Sequence, residues 1–125
     1  MMLVLSVAQP YAWAIIHGGK NIENRTWFQP KQVIGTRIGI HATVTRPAKD
    51  DWTFIVGGSG VSVFDQTDVI YGAIIGTVLV TGVVGESDSQ WFSGPFGWTL
   101  KDPKPCVPIA IKGQLGLWKY DGVIS

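Results

Sequence analysis

The sequence predicts a mainly β, α+β fold of five to seven short strands with one or two short helices, arranged as a small β-barrel or an α+β sheet. Three observations carry this. Val, Ile and Thr are abundant, and apolar residues recur at strand spacing through much of the chain. The 16 Gly and 7 Pro cut it into short pieces bounded by turns. The 125 residues, 46% hydrophobic and 15% charged, suffice for one core and not two, so residues 1–125 are expected to form a single domain.

Taken in order, Leu3 to Ser6 is a first strand. Pro10 suits the first helical position, where its missing N–H costs nothing. Tyr11, Ala14 and Ile15 then fall at i, i+3 and i+4 on one apolar face of a two-turn helix. Gly18-Gly19 stops it, because glycine accepts the left-handed conformation that ends helices. A polar burst follows: Lys20, Asn21, Glu23, Asn24, Arg25. In the second strand, Asn21 to Trp27, alternation puts Asn21, Glu23 and Arg25 on one face and Lys20, Ile22 and Asn24 on the other. Phe28 to Lys31 is a polar turn. Ile34 to His41 alternates as a half-buried third strand, with Ile34, Ile38 and Ile40 facing one way and Arg37, Gly39 and His41 the other. Pro47 to Phe54 suits a short helix. Gly57-Gly58-Ser59-Gly60 breaks the chain, and the stretch to Asp68 reads as a loop or a short extra helix. Val69 to Val84 is apolar on both faces, a central strand that Gly72, Gly76 and Gly82 let curve. Glu86 to Gly97 is a loop rich in aromatics. Phe96 to Leu100 forms a strand, Asp102 to Pro105 a turn, and Val107 to Ile111 an edge strand, since Pro108 lacks a ladder donor. Leu115 to Tyr120 closes the sheet.

Several function classes fall away. The formal net charge is +1, from 10 basic and 9 acidic residues. A protein gripping a long nucleic-acid backbone needs a surplus of cations. The balance here favours a small ligand, a nucleotide or a short strand, unless the basic residues cluster. Cys106 is the only cysteine, which excludes an intramolecular disulfide and fits a reducing compartment. No basic leader precedes the first apolar residues, and the apolar run from Val69 is too short for a membrane helix. A cytoplasmic protein without a membrane partner is expected. Two His and one Cys without ligand spacing argue against a metal. Neither a Walker nor a Rossmann glycine pattern is present, so no cofactor is expected.

The polar burst is the candidate site. Lys20 follows a helix end, where a lysine can act as base, nucleophile or phosphate ligand. As a base it must lose charge near neutrality, from an unperturbed pKa of about 10.4. Glu23 and Arg25 form either a structural ion pair or the lining of a ligand cleft, with Arg25 able to fork onto phosphate. Asn24 belongs to the same cleft. Arg37 and His41 share a strand face and are further candidates for ligand binding, although a lone histidine in a strand is commonly structural. His17 suits the helix C-terminus. Trp13 and Trp27 either pack in the core or stack on a base, and Trp27 is the one taken as a binding candidate. In the loop from Glu86 to Trp98, two carboxylates and four aromatics make either a lid or a self-pinned loop.

A family resemblance joins these pieces. Gln9-Pro10-x-Ala12-x-x-Ile15-x-x-Gly18-x-Lys20-x-x-Glu23-Asn24-Arg25-x-Trp27 is similar to the opening signature of the ASCH domain, a member of the PUA-like superfamily. Arg37 to Ala42, Ile75 to Val78, Phe96-Gly97-Trp98 and Lys112 to Trp118 follow in that family's order. The resemblance implies a PUA-like pseudo-barrel with an early helix plugging one end. It also implies an RNA- or nucleotide-binding cleft using Lys20, Arg25 and Arg37 for phosphates and aromatics for bases. Some small ASCH proteins hydrolyse N4-acetylcytidine with a lysine, a threonine and a glutamate. The lysine matches Lys20, but Glu23 stands where the threonine belongs, and Glu86 is the nearest candidate for the glutamate. A ribonuclease built on Lys20 with Glu23 or His41 is a third reading, and a protein-interaction module a fourth.

Overall fold

A computed structural model describes residues 2–26, 33–47 and 69–125. In chain order they form β1 (Met2–Val7), α1 (Tyr11–His17), β2 (Ile22–Arg25), β3 (Arg37–Ala42), β4 (Ala73–Val84), β5 (Phe96–Ala110) and β6 (Leu117–Tyr120). The six strands make one mixed sheet in the order β2-β5-β4-β3-β1-β6. Only β1 and β3 run parallel, Val4 opposite Gly39 and Val7 opposite Ala42. The remaining neighbours are antiparallel.

The expected barrel is not closed by strand pairing, and the structure corrects that reading to an open, curled sheet. Three strands lie between β2 and β1 in the ladder. Even so, an Arg25 Nη2 hydrogen on β2 reaches the Ser6 carbonyl of β1 at 2.8 Å. The sheet therefore bends back on itself, and a side chain spans the gap. Its concave side holds the main core, with Leu5, Ile15, Ile38, Ile40, Val78, Val80 and Trp98 all buried.

The helix forms where expected. Its buried face is Ala12, Ala14, Ile15 and Ile16, packed on β3, β4 and β5. The Gln9 side chain fastens its start: Oε1 accepts from the Trp13 N–H at 2.9 Å, and Nε2 donates to the Ile70 carbonyl at 2.8 Å. Both polar ends of this buried residue are satisfied, as burial demands. At the other end the two glycines act differently. Gly19 takes the left-handed conformation, with φ of 78°, whereas a Cβ on Gly18 would meet the Trp13 ring at 2.9 Å. The N–H groups of Gly18 and Lys20 both reach the Ala14 carbonyl.

Three strand expectations need correction. Ile34 lies in a turn ahead of β3, 42% exposed, because Gly35 has φ of 83° and the Thr36 hydroxyl and N–H both return to the Val33 carbonyl. From Ile38 to Ala42, β3 is buried on both faces, not one. Its second face is covered by Trp118 and the chain around Ile111 and Ile124. The turn expected at Asp102 to Pro105 is part of one continuous strand. β5 pairs with β4 from Gly97 to Ala110, through three register irregularities. Its pairing with β2 ends at Thr99, so Pro103, Pro105 and Pro108 fall where β5 no longer has to serve two neighbours. Residues 48–54 of the expected second helix, the Gly57 to Asp68 loop, Trp27 and the turn from Phe28 to Lys31 lie outside the described residues, apart from Pro47, which is not helical.

Candidate functional site

The gap between β2 and the end of β1 opens into a cavity of about 710 Å³. Its floor is the polar burst. β2 is extended, so Glu23 and Arg25 project to the same side, and both line the cavity. Lys20 joins them from the turn after Gly19. Ser6, Val7 and Ala8 line one side, and the aromatic residues Tyr11, Trp91 and Phe92 line the other. A cavity of this size, mostly apolar with a few convergent charges, is the usual form of a small-molecule site.

Electrostatically the floor is a chain of three charges. Glu23 Oε2 holds Arg25 Nη2 at 2.8 Å, while Glu23 Oε1 stands 3.8 Å from Lys20 Nζ. The second separation is too long for a hydrogen bond. Lys20 Nζ donates instead to the Ile22 carbonyl. The amine also lies 5.9 Å from the Tyr11 ring centre and 5.6 Å from that of Trp91. Burial pushes the Lys20 pKa below its ordinary value; Glu23 opposes the shift, and Arg25 adds to it. The Lys20 side chain is only 3% exposed and that of Glu23 only 9%. This is a partly dry ion cluster, in which each charge depends on the others.

Asn24 lines the same cavity, and its amide binds the protein. Nδ2 donates to the Trp91 carbonyl at 2.9 Å, and Oδ1 accepts the N–H groups of Ser93 and Gly94 at 2.9 and 3.2 Å. Ser89 Oγ donates to Asn21 Oδ1 at 2.8 Å. The second strand thus holds the aromatic loop at two points, three residues apart. Of that loop, Trp91 packs with Ala14 and Ile22, and Trp98 belongs to the main core. Glu86 and Asp88 are exposed and line no part of the cavity. The loop supplies rings to the pocket wall and no carboxylate.

The structure does not bring Arg37 and His41 to this cavity. Arg37 Nη2 pairs with Asp102 Oδ2 at 2.5 Å, and Nη1 donates to the Asp102 carbonyl and the Thr77 hydroxyl. His41 is buried against Trp118, ring centres 5.6 Å apart in an edge-on arrangement. Its Nε2 is 2.7 Å from the Ile111 carbonyl. Their shared strand was readable; which face lay towards the gap was not. Trp27 is outside the described residues. Trp91 and Phe92 belong to the aromatic loop that the sequence offers as a lid, whereas Tyr11, on the apolar helix face, and Ser6, at the end of β1, carry no pocket signal in the sequence.

A model of the ASCH domain family matches residues 5–97. That span takes in α1, the polar burst, β3, β4 and the aromatic loop. Activating signal cointegrator 1 of Homo sapiens is 28% identical over 133 residues, covering 96% of this chain and 22% of that protein. The Mus musculus protein of the same name is 27% identical with the same coverage. The chain therefore spans about a fifth of the curated relatives it matches. Among solved structures, ASCH from Zymomonas mobilis superposes with a TM-score of 0.57 at 20% identity, covering 95% of this chain and 87% of that one. A single-substitution variant of the same protein gives 0.57 with 95% and 90% covered. With the early helix, the Lys20 to Arg25 burst and the mixed sheet all inside the matched region, the chain belongs to the ASCH domain family.

Proposed function

We propose that this ASCH domain binds RNA or a nucleotide-like small molecule in the cavity between β1 and β2. The observation that carries the reading is the joint lining of that cavity by Lys20 and Arg25 with the rings of Tyr11, Trp91 and Phe92. Cations suit phosphate or carbonyl oxygens, and rings suit the faces of bases. Lys20, Glu23, Asn24 and Arg25 are the proposed site. Arg37 and His41 are left to the sheet, because their partners are elsewhere in the fold. The test is a titration of ribonucleosides, ribonucleotides and a short single-stranded RNA against the wild type and Trp91→Ala. Saturable binding, weakened about tenfold or more by loss of the ring, supports the reading. No binding of any base-containing probe contradicts it.

A second reading, hydrolysis of a modified nucleoside or of RNA, is favoured by one observation. Burial drives the Lys20 amine towards its neutral form, and a carboxylate lies 3.8 Å away. A neutral amine can accept a proton, which an ordinary surface lysine does poorly. Chromatography of N4-acetylcytidine and of a short RNA after incubation decides it. Product formed by the wild type and absent with Lys20→Ala makes the domain an enzyme.

A further inference from the structure

We infer that the ligand of the cavity carries one terminal phosphate, taken by Lys20 and Arg25, so that the site accepts a nucleoside monophosphate or a phosphorylated strand end and not internal backbone. The inference rests on the nucleotide-binding reading above. Among the described residues, two cations and a single carboxylate line the cavity, and that carboxylate is unevenly shared. Glu23 is at hydrogen-bond distance from Arg25 and 3.8 Å from Lys20. Among the described residues, Lys20 has a carbonyl partner in Ile22 and only the longer, 3.8 Å ion pair with Glu23. Of the Arg25 guanidinium, only Nη2 is engaged among the described residues, with Glu23 and the Ser6 carbonyl. Donors therefore outnumber acceptors at the floor, and one anionic group redresses the balance.

Among the described residues, the same accounting argues against a longer track. Strand binding along the backbone requires successive cations. Lys104 lies 3.7 Å from Asp102, which also holds Arg37, and neither basic residue lines the cavity. Beyond the floor, the described lining is Ser6 to Ala8, Tyr11, Trp91 and Phe92, with Gln90 and Ser93 beside the rings, a mixture that suits a base and a sugar. A phosphate beside Lys20 also supplies the counter-charge that its burial withholds, so binding draws the amine towards its charged form.

The experiment compares cytidine and adenosine, their 5′- and 3′-monophosphates, and a hexanucleotide RNA with and without a terminal phosphate. Binding is measured by calorimetry to wild type, Lys20→Met, Arg25→Gln and, as a control remote from the cavity, Arg37→Gln. The expected result is monophosphates bound about ten- to hundredfold tighter than nucleosides. Lys20→Met and Arg25→Gln erase that preference, and Arg37→Gln, remote from the cavity, leaves both the preference and nucleoside binding intact. The preference also declines as alkaline pH removes the Lys20 proton. A hexanucleotide that gains from its terminal phosphate identifies a strand end as the source; one that does not, with the monophosphates still preferred, identifies the free nucleotide. Should Arg25→Gln fail to fold, Lys20→Met carries the same test. Nucleosides binding as tightly as monophosphates overturn the inference and leave the nucleotide reading standing. So does an unphosphorylated hexanucleotide that outbinds every monophosphate. Failure of all base-containing probes overturns the reading itself.

Discussion

At Lys20 two requirements oppose each other. Burial penalises the ammonium, while Glu23 and the Ile22 carbonyl favour it. Burial wins, so the folded-state pKa lies below the ordinary value of 10.5. The native protein then binds fewer protons than the unfolded chain between that lowered pKa and about 10.5. Stability accordingly rises with pH through this alkaline window, and at lower pH the cost of a buried charge is fully present. Lys20→Met should abolish this contribution to the rise, measurable by denaturant unfolding at pH 7 and pH 9. At neutral pH it should fold as stably as the wild type to within about 1 kcal/mol, since an apolar stem replaces an under-compensated charge. Glu23→Gln acts in the opposite sense. It leaves Lys20 and Arg25 facing each other without a counter-ion, at a cost of roughly 2–4 kcal/mol. The site was legible at this scale because Gly-Gly followed by charges is unusual before a strand, and alternation alone put Glu23 and Arg25 together. Alternation does not say which side of β3 faces the gap, and neither Arg37 nor His41 lines the cavity. Gln9 opens the family signature, but a glutamine before a proline carries no signal of burial, so its hold on the helix start is visible only in the structure.

Among the elements, β2 does much with four residues. All four pair with β5, Glu23, Asn24 and Arg25 line the cavity, and Asn24 fastens the aromatic loop. Asn24→Ala removes three hydrogen bonds to that loop and should cost about 2 kcal/mol in all. Amide exchange at residues 91–94 should accelerate, and nucleotide binding should weaken, because the Trp91 ring is no longer held over Lys20. Unchanged exchange in that segment would show that the loop is pinned by its rings alone. β4 and β5 approach closely at Gly76, where a Cβ would stand 2.6 Å from the Lys104 carbonyl and 2.8 Å from the Ile16 side chain. Gly76→Ala should therefore destabilise by about 1–3 kcal/mol in a denaturant titration. The strands are readable where a β-branched apolar run is continuous, as in β4. β5 was read as two strands because Asp102-Pro103-Lys104-Pro105 has the composition of a turn. Composition cannot reveal that pairing with β2 stops at Thr99 and frees one edge of β5 for prolines. Likewise the half-buried look of β3 came from Arg37, Gly39 and His41; the cover from Trp118 arrives from 77 residues further along the chain.

For the whole molecule, the sheet stays open where a barrel would close, and the opening is the cavity. Arg25 crosses it to Ser6, while Ser6 Oγ accepts from Trp118 Nε1 at 2.9 Å and donates to the Gln114 carbonyl. The two edges of the gap are thus tied, through one residue of β1, to both β2 and the C-terminal segment. A formal net charge of +1 gives the molecule little long-range attraction for a polyanion. The salt dependence of nucleotide binding should therefore be shallow, with a slope of about −1 in a plot of log affinity against log salt. A slope several times steeper would place binding on an extended basic surface. The open gap as the binding place is tested most directly by nuclear magnetic resonance titration of the isotope-labelled protein with a nucleoside monophosphate. The account predicts saturable shifts at the Trp91 indole and at the amides of Lys20, Glu23 and Asn24, with the resonances of His41 and Trp118 unmoved. Shifts centred on His41 and Trp118, with the cavity residues silent, would contradict it.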